Sequence, residues 1–464
     1  MRYLSVIFCC LLYGIGYGQY YSYERIDSSF QVAYDSSGFT GNVLVAEDGK
    51  IVYARSFGYA NLEDSLLIDL NTVFELASVS KQFTAAGIML LEQQQKIKAS
   101  DAIATYFPEL KKYAAITVDD LIRHTSGLPD YLGFEWNTPE GKFVTNDSII
   151  QRFQNESIAL DFQPGEGDEY SNTNYVLLAS LIERVSGQSF GDFLKENIFE
   201  PVGMYHTQVN RSRYDKTTIF NRASAYVYSD ELKRPIVPDE HPEEKWIVPL
   251  DGIVGDGMVN STALDLLKWD QMLYTNLIFE EPYRQRLFLP TALNDGSMND
   301  YAYGWGIRSD STMGTIVSHS GGWAGFVNYI ERHTDHNKTI IFLQNNEINK
   351  RIPVGTTRRA LYGLPPLPPK PKKPVLSISD DVLSQYLGKF QFEDDETIMS
   401  VTLDNHRLKV DYEGDVFYIL PTKENAFFIE DQTEVEIHFE SQKASFDRAI
   451  WYQGDYVGTL NKID

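Results

Sequence analysis

The spacing of apolar and polar positions divides most of the chain into strand-like ends and a helical middle. Near the start, Gly41-Asn42-Val43-Leu44-Val45-Ala46 and Ile51-Val52-Tyr53-Ala54 flank Glu47-Asp48-Gly49-Lys50, and Asp-Gly between two apolar runs predicts a hairpin. Strand patterns return at Gly314 to Val317, Phe326 to Arg332 and Lys338 to Gln344, with Asp335-His336-Asn337 as a turn. Between these ends the period lengthens. Leu177, Leu178, Leu181, Ile182 and Val185 recur at helical spacing and stop at Gly187, and Ala263 to Tyr274 follows the cap-competent Ser261 and Thr262. Strands at both ends with helices between them predict an α/β (α+β) fold: an antiparallel sheet closed by the two ends, flanked by helices and carrying a helical subdomain.

The pattern breaks at Leu364-Pro365-Pro366-Leu367-Pro368-Pro369-Lys370-Pro371-Lys372-Lys373-Pro374. Clustered prolines exclude helix and sheet interior, so 364–376 is expected to be a semi-rigid linker. The tail, 377–464, reads as short strands at Met399 to Leu403, Arg407 to Tyr412, Val416 to Leu420, Ala426 to Ile429 and Glu434 to Phe439. These predict a small all-β barrel or curved sheet. The large domain before the linker would span 19–363.

The first residues follow another rule. Arg2 precedes an apolar run from Tyr3 to Ile15 and then Gly16-Tyr17-Gly18. The run is too short to span a bilayer and fits a signal peptide over 1–18 cut after Gly18, which implies export to the periplasm or beyond. Cys9 and Cys10, the chain's two cysteines, lie inside it, so the mature chain would have neither disulfides nor thiolate chemistry. No other stretch approaches about 18 unbroken apolar residues, and no transmembrane helix is expected. A hydrophobic content of 43% with 23% charged residues over 464 positions is that of a globular protein. The net charge of −24 (41 basic against 65 acidic residues) argues against a nucleic-acid partner.

Three stretches carry candidate chemistry. In Ser78-Val79-Ser80-Lys81, opening a helix that runs to about Gln95, positions i and i+3 share a face, so hydroxyl and amine would point the same way. A serine hydroxyl needs a neighbouring base, and a desolvated neutral lysine can serve. Phe162-Gln163-Pro164-Gly165 is followed by Tyr170-Ser171-Asn172 just before the Val176 to Val185 helix. A tyrosine beside a lysine can relay a proton, and an asparagine can orient the lysine or a substrate amide. Tyr170 also fits an ordinary surface residue and Asn172 a helix cap. His319-Ser320-Gly321-Gly322 ends a strand, where glycines admit close backbone approach and N–H groups can hold an oxyanion. Each alone is weak. An α/β-hydrolase would show a Gly-x-Ser-x-Gly elbow, and the chain has none.

Together, and in this order, the three stretches resemble the signature of the active-site-serine penicillin-recognising enzymes. The chain is most similar to the class C beta-lactamase branch, which includes D-alanyl-D-alanine carboxypeptidases, esterases and D-amino-acid peptidases. The run Leu121-Ile122-Arg123-His124-Thr125-Ser126-Gly127-Leu128-Pro129-Asp130-Tyr131, together with Gly255 to Thr262 and Tyr303-Gly304-Trp305-Gly306, also has family counterparts, and the resemblance covers about residues 25 to 362. It implies Ser78 as acylated nucleophile, Lys81 as its activating partner, Tyr170 as general base and acid, and Asn172 as the substrate-amide contact. The backbone N–H groups of Ser78 and Gly322 would form the oxyanion hole, where losing one donor costs about 3–4 kcal/mol. His124 reads as structural. No metal or other cofactor is implied, and no ligand-spaced His/Cys/Glu cluster is evident.

Where lactamases of this branch carry Lys-Thr-Gly, this chain has His319-Ser320-Gly321. A mostly neutral, shorter histidine should hold a substrate carboxylate less well. That favours an esterase or D-amino-acid-peptide hydrolase, with small-molecule or cell-wall-derived peptide substrates, over a beta-lactamase or D-alanyl-D-alanine carboxypeptidase. The competing class is a non-catalytic, penicillin-binding-like sensor. The tail resembles the lipocalin-like accessory domains that follow such catalytic domains.

Overall fold

The computed structural model describes residues 23–347, 352–366, 373–393, 397–412, 415–430, 432–441, 446–453 and 456–463. The expected signal peptide with Cys9 and Cys10, and residues 367–372 of the expected linker, lie outside the described residues. The chain forms two compact units, Met1–Pro366 and Leu367–Asp464. Among the described residues no helix is long and apolar enough to cross a membrane.

The first unit is built on a seven-stranded antiparallel sheet. Its strands are β1 (Gly41–Glu47), β2 (Lys50–Phe57), β3 (Tyr301–Ala302), β4 (Trp305–Asp310), β5 (Gly314–Trp323), β6 (Phe326–His333) and β7 (Lys338–Gln344), in the order β3-β4-β5-β6-β7-β1-β2. The expected hairpin is β1 and β2, turning at Asp48 and Gly49, both with positive φ, as the favoured two-residue turn requires. Strand β1 also pairs with β7, from Gly41 opposite Gln344 to Glu47 opposite Lys338. The two ends of the unit therefore meet in the middle of the sheet, as expected from the pattern.

Both faces of that sheet are covered, which explains why β1 reads as continuous apolar sequence. Val43 and Val45 pack with helix α1 (residues 23–37) through Phe30, Phe39 and Phe342, while Leu44 and Ala46 belong to the larger core on the opposite face. That core surrounds helix α2 (Lys81–Gln93), which is buried from Lys81 through Leu91. A helix enclosed on all sides needs no polar face, and its first residue is drawn out of water with it. Around α2 lie α3 (Val118–Arg123), α4 (Asn146–Asn155), α5 (Asn172–Ser186) and α6 (Ala263–Met272). Helix α5 starts four positions before Val176, because Tyr175 and Val176 are already buried against the core.

Gly304 shows how tightly α2 is seated. Its φ is +81°, and a Cβ there would fall 2.5 Å from Gln82 N and 2.7 Å from Lys81 C. The Tyr303-Gly304-Trp305 turn therefore presses against the start of α2, which only glycine permits.

The second unit is a closed barrel of eight antiparallel strands, from Gly388–Phe392 to Tyr456–Lys462, the first pairing with the last through Phe390 and Lys462. Phe390, Phe427, Ile437 and Leu460 are fully buried in its own core. Of the five strands read from the sequence, Arg407–Tyr412 and Ala426–Ile429 have the expected bounds, and the other three are wider, as Ile398–Asp404, Asp415–Lys423 and Gln432–Glu440. Gly388–Phe392, Arg448–Gln453 and Tyr456–Lys462 complete the closure.

Gly304→Ala is expected to lower unfolding stability by at least ~2 kcal/mol, because both the positive φ and the backbone contact resist a Cβ. Urea denaturation of the full chain measures it. A loss below about 0.5 kcal/mol would contradict the close packing described.

Candidate active site

Ser78 lies in a tight 3₁₀ turn (Ala77–Ser80) that runs directly into α2. In such a turn residues i and i+3 eclipse, and Lys81 Nζ donates to Ser78 Oγ at 3.0 Å. The amine is fully buried and has two further partners, Asn172 Oδ1 at 2.7 Å and the Asp256 carbonyl at 2.9 Å. Both can only accept, so they fix two of its three hydrogen-bonding directions. The third points at the serine hydroxyl, the one partner of the three able to donate as well as accept.

Asn172 is the first residue of α5. Its Nδ2 and its backbone N–H both donate to Asp130 Oδ2, at 2.7 and 3.0 Å. Asp130 thus satisfies an orphan N–H at the helix start from outside the helix, and it fixes the amide so that Oδ1 faces the lysine. Both ends of the Asn172 side chain are engaged within the protein.

Tyr170 is 42% exposed and approaches from the open side, with Lys81 Nζ 4.9 Å from its ring centroid. Among the described residues its hydroxyl has no hydrogen-bond partner. Its position is set by His124, whose carbonyl accepts from Glu169 N–H at 3.0 Å and whose Nδ1 accepts from Ser171 N–H at 3.1 Å. The imidazole lies 4.4 Å from the Tyr170 ring, centroid to centroid. One histidine therefore grips the chain on both sides of Tyr170 and packs on the phenol between. Asn174 Nδ2 also reaches His124 Nδ1, at 3.2 Å, which places the imidazole proton on Nε2.

Strand β5 brings His319, Ser320, Gly321 and Gly322 to the site's edge. Gly321 is pressed onto the turn that carries Ser78: a Cβ there would stand 2.2 Å from Leu76 O and 3.1 Å from Ser78 N. Gly322 and Ser78 line one cavity with about 460 Å³ of empty space. Ser320 is exposed, and its carbonyl accepts from His319 Nδ1 at 2.5 Å. That bond sets the tautomer, so Nε2 accepts from the Tyr301 hydroxyl, 2.9 Å away. The His319 ring thus offers no free donor to a substrate. Burial first, and the nearby Lys81 charge second, push His319 down to about 4. The same causes hold His124 well below the usual imidazole range. Neither ring adds positive charge at neutral pH.

Backbone strain gathers here. Ala77, His124, Met258 and Tyr303 all have positive φ without being glycine, a costly conformation that persists only where surrounding packing imposes it. Asp130, Tyr131 and Asp256 stand within family-like runs but carry no role legible in the sequence, and Tyr301 has as its one local signal its place just before Tyr303-Gly304-Trp305-Gly306. Among the described residues no group of acidic, histidine and cysteine side chains could hold a metal ion.

Several known proteins resemble this chain in sequence or fold. The family described as Beta-lactamase matches residues 32–363. Penicillin-binding protein 4* of Bacillus subtilis (strain 168) is 38% identical over 437 residues, covering 93% of this chain and 96% of that one. Among solved structures, the octameric penicillin-binding protein homologue from Pyrococcus abyssi aligns with a TM-score of 0.62 at 22% identity, over 94% of this chain and 99% of its own. The D-amino acid amidase from Ochrobactrum anthropi SV3 aligns at 0.60 and 23%, over 74% and 98%. At such identities the structural likeness is one of fold.

Two outcomes follow from the two imidazoles. His319 has a folded-state pKa below its ordinary 6.5, so the unfolded chain binds more protons and stability falls as pH drops from about 6.5 toward 4. Between pH 7 and about pH 4.5, wild type should lose more unfolding free energy than His319→Gln, a comparison that cancels the carboxyl contributions; equal slopes would refute the burial effect. His124→Phe keeps a ring against Tyr170 but strands the buried Ser171 and Asn174 donors, at a cost of about 1–3 kcal/mol each. Faster amide exchange at Ser171 is the accompanying readout.

Proposed function

The chain belongs to the Beta-lactamase family of serine hydrolases, and on that premise we propose that it hydrolyses esters or amides through a covalent acyl-enzyme on Ser78. The observation that carries this reading is the Lys81 amine, held by two obligate acceptors so that its remaining direction meets Ser78 Oγ at 3.0 Å. Ser78 Oγ attacks the substrate carbonyl carbon and forms the new C–O bond. The hydroxyl proton passes toward Lys81 and Tyr170, and the carbonyl π pair moves onto its oxygen. The backbone N–H groups of Ser78 and Gly322 stabilise that oxyanion. The tetrahedral adduct collapses with cleavage of the bond to the leaving group, which takes its proton from Tyr170. Water then attacks the acyl-enzyme by the reverse proton route and frees Ser78.

Lys81 orients and activates, Tyr170 relays the proton, and Asn172 holds Lys81 through its carbonyl. The open phenol hydroxyl is consistent with a relay that tightens when substrate fills the cavity. His319, neutral and occupied at both nitrogens, supplies no charge for a substrate carboxylate. This supports an esterase or D-amino-acid amide or peptide hydrolase over a beta-lactamase or D-alanyl-D-alanine carboxypeptidase, whose substrates present that carboxylate. D-Amino acid amidase activity in a protein of the same fold agrees with that preference. The unit ending at Pro366 would be the catalytic domain and the barrel an accessory domain. Export, with cleavage after Gly18, is supported by the apolar run from Tyr3 to Ile15 and by the penicillin-binding character of the relatives.

Challenging the protein with p-nitrophenyl esters, nitrocefin and D-Ala-D-Ala peptides side by side should give ester turnover with slight nitrocefin turnover. A fluorophosphonate should label wild type and not Ser78→Ala, and Tyr170→Phe should lower ester kcat by ~10²–10⁴. Absence of labelling would favour a non-catalytic sensor, and nitrocefin rates comparable to the esters would overturn the inference from His319.

A further inference from the structure

We infer that Asp256 and the apolar wall beside it form a subsite for an ammonium group on the acyl part of the substrate, so that the preferred substrates are esters or amides of amino acids with apolar side chains. This rests on the acyl-enzyme reading of Ser78. The cavity that holds Ser78 is walled by Leu250, Ile253, Met258 and Trp323, and Asp256 and Tyr131 line it as well. The Tyr131 hydroxyl donates to Asp256 Oδ2 at 2.7 Å. Tyr131 is only 2% exposed and its phenol is pushed well above its ordinary range, by burial first and by the Asp256 charge second, so it remains a donor. Beyond Tyr131 the carboxylate has a backbone hydrogen bond within Asp256 itself, and no other side chain donates to it among the described residues.

The remaining charges around the cavity are already matched. Glu75, which also lines it, is paired with Arg222 at 2.6 Å. Lys81 is engaged by Ser78, Asn172 and the Asp256 carbonyl. Asp256 is left as the cavity carboxylate without a cationic side chain paired to it among the described residues. Burial raises its carboxyl above the usual range, with Lys81 opposing, and an arriving ammonium would relieve that cost. Geometry adds the position. One lysine amine bridges Ser78 Oγ and the Asp256 carbonyl, so the Asp256 side chain begins beside the nucleophile. An α-ammonium, one carbon from the reacting carbonyl, can reach it while the apolar side chain meets the wall. A free α-carboxylate finds no unpaired cation among the described residues that line the same cavity.

The test compares phenylalanine methyl ester, as D and L forms, with 3-phenylpropionic acid methyl ester, which has the same skeleton without the amine. The full chain should favour one phenylalanine ester by about tenfold or more in kcat/KM, as one charge-assisted hydrogen bond would give. Asp256→Asn should collapse that ratio whatever its overall rate. An unchanged ratio, or no preference in wild type, overturns the subsite while leaving the acyl-enzyme reading intact if the amine-free ester is turned over. Calorimetry with 2-phenylethylamine and 2-phenylethanol on the unmodified protein decides the matter without catalysis or a folded variant. The amine should bind about tenfold more tightly or better, and equal binding refutes the subsite even if Ser78 proves unreactive.

Discussion

A lysine amine with no exposure to water sets the terms for the active centre. Burying such a group is costly unless its hydrogen-bonding capacity is met, and Lys81 meets it with one side-chain amide, one main-chain carbonyl and the Ser78 hydroxyl. Each partner is in turn fixed. Asp130 holds the Asn172 amide in the orientation that presents its oxygen. The loop carrying Asp256 is tied to α2 a turn further on, where Thr84 donates to the Gly255 carbonyl at 2.6 Å. Gly304 lets a sheet turn press on the residues that follow Ser78.

A second layer is aromatic and uncharged. His124, Tyr170, Tyr175, Tyr301 and His319 stack within 4.4 to 6.2 Å of one another in successive pairs. Their hydrogen bonds assign each imidazole a single neutral tautomer, and burial beside Lys81 keeps both neutral. The Lys81 amine is therefore surrounded by imidazoles that carry no charge of their own. His319 leaves this edge of the site without positive charge, while Gly321 still allows backbone contact with the turn that carries Ser78.

The two units illustrate different degrees of legibility. The hairpin, the return of the last strands and the long helices were readable because hydrophobic period and turn chemistry are local properties. Barrel closure was only half readable: Gly388–Phe392 and Tyr456–Lys462 are neighbours through pairing across the whole unit, and such pairing leaves no mark in either segment alone. In the same way Tyr301 carried no motif. Its importance comes from reaching His319 across the intervening strand β4.

What the sequence determined by itself was chemical identity. Residue types and spacing picked out Ser78, Lys81, Tyr170, Asn172 and the His319-to-Gly322 strand end, since i to i+3 geometry, strand ends and helix starts are written within a few residues. The tertiary structure decided what those groups face. It turned the Asn172 amide toward Lys81, closed both nitrogens of His319, made His124 the clamp on Tyr170, and set Asp256 at the cavity wall with the Tyr131 hydroxyl on its carboxylate. The His319 partners lie 18 positions and 1 position away, but the others are brought from 47 to 175 positions away, and no local pattern of side chains encodes the orientation they impose.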